Sequence, residues 1–279
     1  MSEETNTGNT INLNSVPECV NEPIKAILNP AANQIGNLLG DLLTMATSKI
    51  HFSAERMRIR QAHDLEEFKK SLTDKILEKP EECLVEPRLQ VVGPAAENAK
   101  FCIGEPQIAE MFQCLLANAA DSRYQSKVHP SFAGIISQLS PLDAENLVLI
   151  SQKDSLPIVE YRYNYQDDSY RVVFQNYFLE NAKMRTEDDL ARQSESLSAL
   201  QKQGLVMISY SRWLNNEKEY SKFKETETYR KMESEAAQAR AIFDLANQNI
   251  QSVGKADFQK GMVELTPIGK AFAEVCFKT

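Results

Sequence analysis

The residue types that most often carry catalysis or bind metals are few in this sequence and lie far apart. The three histidines, His51, His63 and His129, are separated from one another and from cysteines or paired carboxylates at metal-ligand spacing. The five cysteines are scattered and include no CxxC pair. They are Cys19, Cys83, Cys102, Cys114 and Cys276. We therefore expect no metal site, and reduced thiols rather than a disulfide framework.

The short motifs that bind nucleotides or activate a serine are also missing. The chain contains neither GxxxxGK[ST] nor GxGxxG, so no glycine-rich loop is expected to cradle a phosphate. It contains no GxSxG elbow either. We expect no catalytic residue, no cofactor-binding residue and no cofactor, and we predict that the protein is not an enzyme.

His129 is the strongest single candidate for a polar site, because Asn118 and Asp121 lie close to it in sequence. The alternative is structural: His129 ends a loop, hydrogen-bonds the backbone ahead of Pro130 and fixes the start of the next helix. We favour the structural role. If His129 were functional, His129→Ala would abolish activity and leave the melting temperature unchanged.

Composition limits the classes of partner. The 279 residues are 42% hydrophobic and 25% charged, which is typical of a globular chain of about two domains. A net charge of −8 disfavours strong nucleic-acid binding. The polar start of the chain resembles no signal peptide, and the apolar stretch 35–50 is interrupted by polar residues. We expect a cytoplasmic protein without a transmembrane helix.

The first half of the sequence predicts a helical bundle over residues 21–140, after a flexible polar tail over 1–20. Apolar residues recur every three or four positions along an amphipathic helix over 30–50, in which Gly36 and Gly40 would allow a close helix contact. Residues 80–94 are interpreted as an extended connection. Helices then begin at prolines in the first helical position, namely Pro94, Pro106 and Pro130.

The second half, residues 141–279, predicts a winged-helix-like α+β domain. Alternating tyrosines around residues 166–168 predict a hairpin, and a helix over 186–203 precedes a β-prone segment. A long helix over about 217–248 is inserted before the last strand and the last helix. The predicted fold is therefore mainly α with small β content.

Two central stretches and the C-terminal part carry a family resemblance. The first stretch is VGPAAENAKF (92–101) followed by EMFQCLLANAAD (110–121), and the second is HPSFAGIISQLSPLDA (129–144). Together with GLV (204–206) and LTPIGKAF (265–272), they resemble the Abi-alpha (abortive-infection alpha) family over roughly residues 20–279. The motif residues, which we interpret as structural, are Gly93, Pro94, Met111, Phe112, Leu116, His129, Pro130, Phe132, Gln138, Leu139, Ser140 and Pro141.

The resemblance implies a bacterial or prophage protein of abortive infection, in which an infected cell stops growing or dies before phage multiply. It supplies no catalytic residues. We predict a protein that acts by contacting a host or phage protein, with a homo-oligomer as a further partner. Two alternatives stay open: a membrane-perturbing effector that uses the helix over 30–50, and a winged-helix DNA-binding regulator.

Overall fold

The computed structural model describes residues 30–48, 55–181, 186–245 and 254–277. This part of the chain is mainly helical with small β content, as predicted, and its strands form one four-stranded antiparallel sheet. The predicted tail and the first nine residues of the predicted bundle lie outside the described residues. No helix in the described ranges is long and apolar enough to cross a bilayer.

Helices make up the first half of the fold, whereas helices and strands are mixed in the second half. The first half holds α1 (Pro30–Ser48), α2 (Glu55–Leu77), α3 (Leu89–Ala99), α4 (Pro106–Ala119), α5 (Phe132–Ile136) and α6 (Pro141–Ser151), with a 3-10 turn at Glu81–Cys83. The second half holds β1 (Leu156–Asn164), β2 (Tyr170–Phe178), α7 (Glu187–Lys202), β3 (Val206–Ser209), α8 (Glu217–Lys224), α9 (Glu227–Leu245), β4 (Lys255–Leu265) and α10 (Pro267–Cys276).

α1 and α2 pack closely at one of the two predicted glycines. Gly36 is buried, and a Cβ at this position would lie 3.5 Å from Oγ1 of Thr73 on α2. Gly40 has nothing within 4 Å of the same position. A distance of 3.5 Å is ordinary van der Waals contact, so Gly36 lies at the contact between the two helices and Gly40 does not.

The prediction that a helix starts at Pro94 after an extended connection over 80–94 is wrong. α3 begins at Leu89, so Pro94 lies inside the helix, where it has no N–H for the backbone ladder. Val92 and Ala95, on either side of Pro94, are both buried in the same core. The free energy gained by burying these apolar residues offsets the loss of one backbone hydrogen bond.

α4 has more buried residues than any other described helix before β1, and it begins with Pro106 at its first turn, as predicted. Phe112 and Leu115 of this helix are fully buried.

α6 begins with a capping box. Ser140 Oγ accepts the backbone N–H of Asp143, and the Asp143 carboxylate accepts the backbone N–H of Ser140.

The sheet has the order β2-β1-β4-β3, and every neighbouring pair is antiparallel. The predicted hairpin is confirmed: β1 and β2 pair, and Asp168 adopts a positive φ of 61° in the turn. β4 is longer than the short strand that the sequence predicts at residues 263–265, because β4 pairs with nine consecutive residues of β1.

Two cores lie against this sheet. Ile158 belongs to the large core that also contains Phe112 and Phe272, whereas its neighbour Val159 belongs to a second core with Phe223. Successive residues of a strand point to opposite faces, so the two cores lie on opposite sides of β1. The large core runs from α1 to α10, and the predicted boundary at residue 140 stays a prediction.

The single long helix predicted over about 217–248 is wrong within the described residues. α8 ends at Lys224 and α9 begins at Glu227, and residues beyond 245 lie outside the described part. Thr226 Oγ1 accepts the backbone N–H of Tyr229 and so caps the start of α9. The local cap competes with helix continuation, and the chain turns there.

The end of α7 and the start of α10 meet through backbone contacts. Gly204 has a positive φ of 74° after α7, and the Leu205 carbonyl accepts the Thr266 N–H at 3.0 Å. Thr266 also caps α10 by accepting the Gly269 N–H at 3.0 Å. A Cβ on Gly269 would lie 1.9 Å from the Leu205 carbonyl oxygen, so only glycine fits there.

Candidate binding groove

A groove of about 560 Å³ opens between three helices and the segment that follows β2. Its lining comes from α4, α6, the residues after β2 and the end of α10. The lining residues are Gln107, Glu110, Met111, Ala144, Glu145, Val148, Leu149, Glu180, Asn181, Cys276 and Phe277. A volume of this size lies in the range of ligand pockets and can also hold a few large side chains of a partner.

The floor of the groove is apolar. Met111 of α4, Ala144 of α6 and Cys276 of α10 are buried, and Leu149 and Phe277 are partly buried beside them. Val148 is exposed on 37% of its surface although it is a large apolar residue. The groove therefore offers an open apolar surface next to the core.

Three carboxylates mark the rim. Glu110 lies 3.5 Å from Lys75 Nζ. Glu180 accepts hydrogen bonds from Lys222 at 2.7 Å and from Lys153 at 3.1 Å. Burial alone would raise the pKa of Glu180, but these two ammonium groups outweigh it and lower the pKa. The third carboxylate, Glu145, accepts the Gln107 amide at 3.3 Å.

The thiols at the groove are unsuited to nucleophilic attack. Cys276 is fully buried, and this burial raises its pKa well above the ordinary value. Burial also raises the pKa of Cys114 on α4, although Lys75 and Lys79 oppose the shift. Because the thiolate is the nucleophile, both groups are held in their unreactive protonated form at neutral pH.

A buried amide network lies behind the groove. Asn146 of α6 donates to Ser196 Oγ at 2.9 Å and accepts the Gln193 amide of α7 at 3.0 Å. Asn181, which lines the groove, donates to the same Asn146 oxygen at 3.4 Å. The Gln193 Oε1 atom is buried without a hydrogen-bond partner. The network fixes α6, α7 and the segment after β2 relative to one another.

The sequence suggested a polar site formed by His129, Asn118 and Asp121. In the structure, Asn118 and Asp121 belong to one group of contacts and His129 to another. Asp121 is fully buried, is held by Arg123, and lies 3.5 Å from Lys79 Nζ. Lys79 also donates to Asn118, whose amide donates to the Val275 carbonyl. Burial would raise the pKa of Asp121, but Arg123 and Lys79 lower it. This group of polar contacts, called the polar node below, joins α4 and the segment after α2 to α10.

His129 makes the contacts of a loop-to-helix junction. Its Nδ1 atom lies 2.7 Å from Ser131 Oγ and accepts the Ser131 backbone N–H at 3.2 Å. The ring lies 5.9 Å from the Phe132 ring. The backbone bond joins His129 to Ser131, which follows Pro130, and not to the backbone ahead of Pro130 as predicted; the structural role of His129 stays a prediction.

The other motif residues lie in the core, within α3, or at helix ends and turns. The core residues are Met111, Phe112, Leu116, Phe132 and Leu139. The remaining ones are Gly93 and Pro94 within α3, Pro130, Gln138, and the α6 start at Ser140 and Pro141. Gln138 accepts the Gln203 amide at 3.0 Å and links the α5 region to the end of α7. The groove includes Met111 of this set.

The groove residues of α6 were not predicted from the sequence. The four consecutive apolar residues Leu147–Ile150 point in different directions around α6, so they cannot all lie on one helical face. The run therefore indicates that a second face of the helix is also apolar. Leu147 and Ile150 face the core, and this leaves Val148 for the groove.

Three further residues are close enough to share a cation. The potential ligand atoms of His63, Asp64 and Glu67 on α2 lie within 4.8 Å of one another. His63 and Glu67 are exposed, and His63 Nδ1 lies 3.7 Å from the Glu67 carboxylate. We interpret the group as neighbouring polar side chains on the surface of one helix.

Comparison with known proteins identifies one family. The family model described as abortive infection alpha matches residues 60–276, which is most of the chain. A search of curated proteins found no match. An uncharacterized protein from the hydrocarbon-degrading marine bacterium Alcanivorax borkumensis SK2 aligns at 16% identity and a TM-score of 0.31, over 55% of this chain and 94% of that one. A likeness this low supports no argument about fold or function.

Proposed function

The chain belongs to the abortive infection alpha family, and we propose that it acts in phage defence by binding a segment of another protein in the apolar groove. Family membership links the chain to abortive infection. The partner comes from the host or from the phage, and the protein acts in the cytoplasm.

The observation that carries this proposal is the exposed apolar surface of Val148 beside the buried floor of the groove. Buried apolar pockets at the centre of an interface supply most of its binding energy. We therefore expect the bound segment to insert large apolar side chains into the groove.

The proposal assigns no reaction to the chain. The groove thiol of Cys276 is held protonated by burial.

We also propose that α6, α7, β3, β4 and α10 form a winged-helix-like arrangement that serves protein contacts. α7 begins with Asp188 and Asp189 and buries Leu197 and Leu200, so it offers few partners for DNA phosphates. Salt-sensitive binding to duplex DNA at physiological ionic strength would contradict this assignment.

Two variants matched in exposure test the groove. Val148→Glu places a charge in the groove, and Ile268→Glu on α10 is the control, because both side chains are exposed on 37% of their surface. Cells that express each variant are challenged with phage and scored by plaque assay, and partners are captured from infected cells. We expect Val148→Glu to lose protection and partner capture, and Ile268→Glu to keep both.

Thermal unfolding of the purified variants separates binding from folding. The expected result requires Val148→Glu to melt close to wild type. Full protection by a folded Val148→Glu protein would refute the groove as the functional surface. Equal loss in both variants would show that protection depends on some other property of the fold.

A further inference from the structure

A smaller pocket lies between the β1–β2 hairpin and α9, on the side of the sheet that holds the second core. Its volume is about 250 Å³, below the roughly 300–1,000 Å³ of pockets for drug-sized ligands. Its lining includes Tyr163, Tyr165, Arg171, Glu235, Ala239 and Phe243, and it is called the hairpin pocket below. A pocket of this size suits one small molecule.

The fold brings the aromatic and charged side chains of the hairpin pocket together. Tyr163 and Tyr165 are two positions apart and so point to the same side of the hairpin, and Arg171 lies opposite Tyr163 in β2. α9 supplies residues at steps of four, which share one helical face. They are Glu235, Ala239 and Phe243. One strand pair and one helix therefore form the two walls.

The hairpin pocket contains a cation and a carboxylate that are not paired with each other. The Arg171 guanidinium lies over the Tyr163 ring, 5.3 Å from its centroid, and has no hydrogen bond or ion pair to any residue that the structure describes. The Glu235 carboxylate accepts the Tyr163 hydroxyl at 3.1 Å. Burial, followed by this bond to Glu235, raises the pKa of Tyr163 to about 12, so the hydroxyl stays the donor at neutral pH. The ring of Tyr163 separates the two charges.

The remaining surface of the hairpin pocket is aromatic or small. The rings of Tyr165 and Phe243 are partly exposed and offer faces and edges against which a flat ligand can pack. The backbone at Gly254 closes one side, since a Cβ there would lie 2.7 Å from Tyr163 Cβ and 3.1 Å from the Tyr165 ring. Ala239 has a short side chain, so a larger residue at this position would fill the space.

We propose that the hairpin pocket binds a free aromatic α-amino acid. The planar guanidinium of Arg171 offers two parallel N–H donors to the ligand carboxylate. The Glu235 oxygen that does not bind Tyr163 accepts the ligand ammonium group, and the aromatic ring of the ligand packs against Tyr165 and Phe243. Glu235 would repel a simple anion and Arg171 a simple cation, so a molecule with both charges fits best.

Isothermal titration calorimetry of the full chain with L-phenylalanine tests the proposal. We expect binding with a dissociation constant of about 1 mM or tighter, as suits a small ligand. Three analogues separate the contacts: phenethylamine lacks the carboxylate, 3-phenylpropionate lacks the ammonium group, and L-alanine lacks the ring. Each of them should bind at least about tenfold more weakly than L-phenylalanine.

Two arginine variants assign the carboxylate contact. Arg171→Gln should weaken L-phenylalanine at least about tenfold and remove its advantage over phenethylamine. Arg162→Gln is the matched control, because Arg162 also lies over a tyrosine ring, 4.7 Å from the centroid of Tyr170, but points to the opposite face of the hairpin. It should bind L-phenylalanine like the wild type. Ala239→Leu should abolish binding by filling the pocket.

Other outcomes contradict the proposal. A wild-type chain that binds no L-phenylalanine at millimolar concentration removes the aromatic amino acid as the ligand. Equal weakening by Arg171→Gln and Arg162→Gln, with both variants melting like the wild type, places the site elsewhere. Unchanged binding by a folded Ala239→Leu protein does the same. Phenethylamine or 3-phenylpropionate that binds as well as L-phenylalanine shows that the two charges do not act together. None of these results depends on the groove at Val148.

Discussion

The substitution Gly269→Ala tests whether the contact between α7 and α10 holds the large core together. The added Cβ would lie 1.9 Å from the Leu205 carbonyl oxygen and 2.9 Å from its carbon. A carbon and a carbonyl oxygen approach no closer than about 3.3 Å, so the two backbones must separate by about 1.4 Å. Both contacting groups on the Leu205 side belong to the main chain, which cannot rotate away.

Three contributions set the size of the effect. Steric overpacking in a close-packed region costs about 1–3 kcal/mol. The separation also weakens the bond from the Thr266 N–H to the Leu205 carbonyl, worth about 1 kcal/mol. It disturbs the Thr266 cap, which accepts the Gly269 N–H and is worth about 1 kcal/mol. We expect a loss of about 3–5 kcal/mol, a large fraction of a typical folding free energy of about 5–15 kcal/mol.

Gly40→Ala is the matched control within another helix. Nothing lies within 4 Å of a Cβ on Gly40, and alanine is the better helix former, so stability should rise by about 0.5–1 kcal/mol. Urea unfolding followed by circular dichroism gives both values. A Gly269→Ala protein within about 0.5 kcal/mol of wild type would refute the close backbone contact.

Two further substitutions test the polar node and the α6 cap. Asp121→Asn should destabilise the protein by roughly 2–4 kcal/mol at neutral pH, because it leaves Arg123 and Lys79 without their buried partner. The pKa of Asp121 is lowered in the folded state, so its contribution is present above the unfolded-state pKa and is lost as pH falls through the folded value. The difference from wild type in urea unfolding should therefore shrink below about pH 4, and a difference independent of pH would contradict this account. Ser140→Ala removes the side chain that accepts the Asp143 N–H and should cost about 1 kcal/mol in the same assay, whereas an unchanged midpoint would show that the cap contributes nothing.

Local signals in the sequence predicted much of the secondary structure. Ser140, Thr186 and Thr266 each cap the start of a helix, and serine and threonine are residues that favour this position. The tyrosine alternation predicted the β1–β2 hairpin because its two strands are joined by a short turn. These features depend on residues a few positions apart, and the sequence shows such residues directly.

Contacts between distant segments could not be predicted in this way. Pairing with β1 as far as Asn164, which lies opposite Lys255, extends β4 well beyond the short strand expected at residues 263–265, and these two paired residues are far apart in the sequence. The helix around Pro94 exists because its two sides are buried together, which local propensity does not report. The groove was missed for the same reason, since Met111 and Val148 meet there from different helices.

The positions of the motif residues indicate where function should be sought within this family fold. Phe132 of the central motif packs edge-on against Phe272 of the C-terminal motif, with ring centroids 5.1 Å apart. Substituting such core residues would unfold the protein and would abolish any activity, whatever its mechanism. Val148 lies outside the motifs and is partly exposed, so it can be changed while the core stays intact. A variant at this position therefore tests partner binding in a folded protein, which substitution of the motif residues cannot do.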